Sequence, residues 1–75
     1  MKRIQNFTAI IEKENDGYAA LCPELDVVSQ GNTVEEAKIN LQEAIELFFE
    51  HASKDEIESR LKNDVFITNM QIAVG

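Results

Sequence analysis

Very little in this sequence can staple or stiffen a small fold. Among 75 residues there is one cysteine, Cys22, one proline, Pro23, and no tryptophan. A single cysteine excludes an internal disulfide. It suits a reducing compartment, so a cytoplasmic location is expected. With one histidine, His51, the chain also lacks the ligands of the usual four-residue zinc sets. Basic residues are scarce: 7 Lys and Arg stand against 14 Asp and Glu, for a net charge of −7. Such a surface repels phosphate backbones, so direct nucleic-acid binding is not expected. It suits a basic protein partner, and it equally suits plain solubility. No run approaches the ~18 apolar residues of a membrane span. The start, Met1-Lys2-Arg3-Ile4-Gln5-Asn6, has no apolar stretch behind it long enough for a signal peptide. Gly17, Gly31 and Gly75 are isolated, so no glycine-rich phosphate loop is present and no cofactor is expected.

What remains is a chain of one domain, residues 1–75. A core this small is marginal, because a short chain buries a smaller fraction of its surface. With neither disulfide nor metal to help, a homodimer or homotetramer is expected.

The elements are short and clearly punctuated. Arg3–Lys13 reads as a strand, with Phe7, Ala9 and Ile11 on one face and Ile4, Thr8 and Ile10 on the other. Glu14-Asn15-Asp16-Gly17 is a hairpin turn, in which glycine can take positive φ without penalty. Tyr18–Cys22 follows as an antiparallel strand, ended by Pro23, which has no N–H to donate. Val27–Gln30 is a third strand, closed by Gly31. Thr33 and Glu36 then form a capping box. Val34, Ala37, Leu41, Ala44, Ile45, Phe48 and Ala52 recur at helical spacing, one apolar stripe roughly 100° wide. Ser53 and Glu56 form a second capping box, for a short helix from Lys54 to about Leu61. Asn63-Asp64 breaks it. Val65–Val74 reads as a last strand, with Phe66, Met70, Ile72 and Val74 on one face and Val65, Ile67 and Ala73 on the other. The expected fold is therefore α+β, in the order β-β-β-α-(α)-β, with one long helix on one face of a small sheet. The first and last strands carry apolar residues on both faces, which requires a cover such as a second subunit or another protein.

Three stretches carry a resemblance. They are Tyr18-Ala19-Ala20-Leu21-Cys22-Pro23-Glu24-Leu25, Ser29-Gln30-Gly31-Asn32-Thr33-Val34-Glu35-Glu36-Ala37 and Asn40-Leu41-Gln42-Glu43-Ala44-Ile45-Glu46-Leu47. With the opening strand and Asp16-Gly17 they resemble the HicB antitoxin family, over about Phe7 to Glu50. Each piece alone is weak; the set is specific. The resemblance implies a β-β-β-α-β, partial RNase H-like fold. It also implies a partner, a small basic RNA-cleaving toxin of the HicA kind, which the domain would occlude. Many such proteins carry a further DNA-binding segment. This chain reads as a short, single-domain member without one, since Gly75 directly follows the last strand. Leu25-Asp26-Val27 departs from the Pro-Gly pair of many relatives, for which only a different turn is expected. The alternative is a solitary HicB-like oligomer that serves as a binding or scaffold module without a toxin.

Catalysis is not expected. An RNase H-like reaction needs clustered carboxylates to hold two cations, one of them from the middle of the first strand. Here Phe7-Thr8-Ala9-Ile10-Ile11 has no acid. Cys22 as nucleophile with His51 as base lacks anything that places the two together; a small buried hydrophobe is the simpler role for Cys22. His51 suits the last carbonyls of its helix. Tyr18 lacks a basic stripe for base stacking and is expected to pack. Phe48 and Phe49 are assigned to core and rim. No catalytic, cofactor or metal residue is assigned. The candidate surface is the polar face of the long helix, Glu35, Glu36, Glu43, Glu46 and Glu50 with Ile39 among them. It is either a solvated face or the docking site of a basic toxin.

Overall fold

The computed structural model describes residues 4–62 and 64–75. Five elements follow one another: β1 (Ile10–Glu14), β2 (Gly17–Cys22), β3 (Val27–Gly31), α1 (Val34–His51) and α2 (Lys54–Leu61). The strands form one antiparallel sheet in the order β1-β2-β3. The fold is α+β, three meandering strands and then two helices. Arg3, the expected start of the first strand, and Asn63, the expected helix breaker, lie outside the described residues.

The first hairpin differs in detail from expectation. Glu14 pairs with Gly17 across the first turn. The left-handed residue there is Asn15, at φ 52°, and neither Gly17 nor Gly31 has positive φ. Asparagine tolerates that region because its short side chain can bond locally. The glycines instead allow close approach. A Cβ on Gly17 would stand 2.7 Å from the Gly31 carbonyl oxygen. A Cβ on Gly31 would stand 2.5 Å from the Ala37 nitrogen, so its absence lets the first turn of α1 press on β3. In the second turn Asp26 takes φ 56°.

The first strand is shorter than the sequence pattern suggests, and shifted toward its turn. Pairing starts at Ile10↔Leu21. Continuing that register would set Thr8 opposite Pro23, which cannot donate to a ladder. The Thr8 amide donates to the Glu24 carboxylate instead, at 3.1 Å. The shift adds Glu14, expected in the turn, to β1 and puts Glu12 at the middle of the strand, where no acid was expected; both are exposed. Glu12 pairs with Ala19.

Both helices start as their capping residues dictate. The Thr33 hydroxyl accepts from the Glu36 amide at 3.0 Å, and the Ser53 hydroxyl from the Glu56 amide at 3.1 Å. The Glu36 carboxylate returns a bond one residue earlier than a standard box, accepting from Asn32 N–H at 3.2 Å. Helix α1 lies mainly over β3 and β2 and barely reaches β1. Its Asn40 amide donates to the Gln30 carbonyl of β3 at 2.8 Å, a second tie along that seam.

The core is Ala20, Cys22, Leu25, Ala37 and Leu41, flanked by Phe7, Ile11, Tyr18, Val27, Ile45, Phe48 and Phe49. Phe49 joins the two sides: its ring centroid is 5.8 Å from Phe7 and 5.5 Å from Phe48. Val34, expected in the buried stripe, is exposed, because at the first position of α1 it precedes the point where the helix meets the sheet. On the far side of the sheet, Ile10, Leu21 and Val28 sit side by side in register, with Val28 exposed.

The largest departure is the last element. Residues 64–75 form no strand, and every one of them is exposed. A strand exists only as part of a ladder, and no described segment of the chain pairs with this one.

Candidate functional site

Helix α1 presents the candidate residues on one side. At 100° per residue Glu35, Glu46, Ile39, Glu50, Glu43 and Glu36 follow one another within a wedge of roughly 100°, and all six are exposed. Ile39 stands near the centre with 53% of its surface open to solvent. Leu47, also exposed, borders the same wedge. It is absent from the expected site, although its spacing of eight residues from Ile39 is a signal legible in the sequence. Glu36 is committed in part to the helix start.

Like charges crowd this face. Glu43 and Glu46, and Glu46 and Glu50, are neighbours three and four residues apart. Each such pair opposes the helix by about 0.2–0.5 kcal/mol. A basic surface docked here would relieve that repulsion and bury Ile39 and Leu47. An apolar centre ringed by charge is also how protein interfaces are built. The attraction would weaken as salt rises, since exposed charges are screened over about 8–10 Å.

A second cluster, which in the sequence reads only as a strand end, is the Cys22-Pro23-Glu24-Leu25 turn. The Glu24 carboxylate accepts from the Thr8 hydroxyl at 2.7 Å and from the Thr8 amide. Burial by itself would raise the Glu24 carboxyl, but the Thr8 hydroxyl and the backbone amides outweigh it and hold it below the ordinary range. The Cys22 thiol donates to the same carboxylate at 3.5 Å. Burial, then the Glu24 carboxylate beside it, push that thiol up. A raised thiol is the opposite of what a nucleophile needs. His51 lies exposed in the last turn of α1 and is no partner of Cys22. On the other side of the turn, Arg60 of α2 donates to the Leu25 carbonyl. The Arg60 guanidinium also lies 5.1 Å from the centroid of the Phe48 ring. One four-residue turn therefore ties down the segment before β1, the end of β2 and the second helix. Among the described residues no three or more His, Cys, Asp or Glu side chains gather to hold a metal ion.

No described helix is long and apolar enough to cross a membrane. The chain is similar to several bacterial proteins. It is 42% identical over 66 residues to a UPF0150 protein of Helicobacter pylori, covering 87% of this chain and 92% of that one. It is 55% identical over 51 residues to a UPF0150 protein of Synechocystis, covering 65% of each chain. A second UPF0150 protein of Synechocystis is 48% identical over 50 residues, covering 64% of this chain and 69% of that one. No family model and no solved structure matches the chain.

Proposed function

The chain belongs to the UPF0150 family, and on that premise we propose that it is a HicB-like antitoxin domain, which binds and occludes a small basic RNA-cleaving toxin in the cytoplasm. The observation that carries this function is the exposed α1 face, five glutamates around Ile39, in a chain of net charge −7. A toxin that cleaves RNA must itself present a basic surface to its substrate. An acidic surface of matched extent competes for that surface by charge and shape. Occlusion needs no chemistry from the antitoxin, and no residue is assigned a catalytic role. The Tyr18–Leu25 and Ser29–Ala37 motifs support the same function through the fold. Gly31 lets α1 press on the sheet in the arrangement that presents the acidic face, and Glu24 ties Thr8 to the turn after β2.

A second function rests on a different observation. The apolar row Ile10, Leu21 and Val28, half-buried at its first two positions and exposed at Val28, and the exposed segment 64–75 suit a self-associating module that has no toxin.

Co-expression with the proteins encoded beside it, followed by capture at low and high salt, separates the two. Recovery of one small basic protein whose toxicity the chain relieves supports the antitoxin. Recovery of self-associated chain alone supports the second function. Within the first, Glu43→Lys with Glu46→Lys should weaken the complex about tenfold or more, mainly through slower association. The helix should survive, because the lysine introduced by Glu46→Lys stands four residues from Glu50 and replaces a repulsion with an attraction. Unchanged affinity would move the toxin site off α1.

A further inference from the structure

We infer that residues 65–74 form a strand only on a second copy of this chain. There they extend the sheet at the free edge of β1 and at residues 4–9, in a reciprocal exchange that builds a homodimer.

The segment has the character of a buried strand and none of the surroundings. Phe66, Met70, Ile72 and Val74 alternate onto one face, and their side chains are 88%, 83%, 70% and 93% exposed. Residues 65–75 are the longest run in the sequence without a charged residue. β-branched and aromatic residues fill it, as in paired strands. Left open, such a segment is an aggregation hazard, which native proteins cover. The radius of gyration says the same: 14.6 Å, against about 11 Å for a compact chain of this length. Part of the chain lies outside its own core.

The receiving site is also on the molecule. Among the described residues strand β1 is an edge strand, paired only with β2. Residues 4–11 before and within it carry no charge. Helix α1 leaves this side of the sheet uncovered, and an open cleft of about 1190 Å³ runs between residues 4–9 and the helix. Phe7, Ala9, Leu41, Ile45 and Phe49 line it. Lengths agree: ten residues, 65–74, span about 33 Å as a strand, and residues 4–14 about 36 Å.

A second copy is the occupant that these facts favour. Each chain offers one uncharged strand and one edge that is uncharged over residues 4–11, so two copies satisfy each other under a two-fold axis. The receiving cleft meets the acidic face only at Glu46 and Glu50, where Lys38 also lines it, and Glu35, Glu36, Ile39 and Glu43 lie outside it. Four apolar side chains expose on the order of 500 Å² per copy. Two tails and the two clefts that receive them would bury on the order of 2000 Å², as much as a stable interface needs.

The experiment uses the full chain alone, so its result does not depend on any toxin. Sedimentation should give a dimer at micromolar concentration. Met70→Asp with Ile72→Asp should weaken self-association about a hundredfold or more. The folded unit should survive, since both side chains are exposed in the single copy. Circular dichroism on the dilute variant checks this. Exchange itself is read from dimers of one isotope-labelled and one unlabelled chain. Filtered NMR contacts should link methyls of 65–74 to residues 4–14 of the other copy. A monomer, a dimer indifferent to the double substitution, or contacts confined to one chain would overturn the inference.

Discussion

The Cys22–Leu25 turn and the 64–75 segment are opposites in how they hold their residues. In the turn, Leu25 and Cys22 are fully buried, Glu24 bonds to Thr8 and Cys22, and the Leu25 carbonyl accepts from Arg60. In the segment, every residue from 64 to 75 is exposed. Both stretches are largely apolar in sequence. The difference lies in where their partners are. The turn finds its partners within about 35 residues of the same chain, and the segment pairs with no strand among the described residues. An apolar stretch with its partners in the chain contributes to the stability of the domain. One without them contributes only when a second surface arrives.

Substitutions at internally partnered positions should therefore destabilise the chain, and those in the open segment should not. The largest effect belongs to Gly31→Ala. The added Cβ meets backbone atoms of Glu36 and Ala37 at 2.8 and 2.5 Å, which no side-chain rotation relieves. A loss of about 3 kcal/mol is expected from urea unfolding. By contrast, a single polar replacement at Phe66 should change the unfolding free energy of the dilute chain by under about 0.5 kcal/mol. If Phe66→Ser costs as much as Gly31→Ala, the two regions are not opposites after all.

Next comes Arg60→Ala. It removes a bond to the Leu25 carbonyl and the stacking on Phe48. A loss of about 1–2 kcal/mol is expected, with α2 amides exchanging faster than those of α1 in hydrogen-exchange measurements.

Glu24 gives a smaller effect that depends on pH. Its carboxyl is held down in the folded chain, so its contribution is complete above the unfolded value, about 4.3. The contribution is lost as pH falls through the lower folded value. Protection of the Thr8 amide should be flat from neutral pH to about 5 and fall below about 4. Glu24→Gln should flatten that profile. A profile unchanged by Glu24→Gln would assign the pH response to another group.

Asp26→Gly is the mildest test. Asp26 holds φ 56°, which glycine takes without steric strain. A gain of up to about 0.5 kcal/mol is expected, after the extra freedom of glycine in the unfolded chain is set against it. A loss instead would give the Asp26 side chain a role in the turn.

The sequence by itself determined what depends on near neighbours. Thr33 and Ser53 start their helices because their oxygens reach the amides three residues on. Pro23 ends β2 because it lacks a donor. The spacing of Ala37, Leu41, Ile45 and Phe48 sets the buried side of α1, and the glutamate spacing sets the exposed one. Only the tertiary structure decided the rest. Gly17 and Gly31 look like turn residues in the sequence, and what they supply is room for a facing backbone. Glu24 and Arg60 look like surface charges, and they close contacts across 16 and 35 residues. Residues 65–74 follow the period of a strand, yet form none. Side-chain alternation is a property of a segment, whereas a strand is a property of a pair.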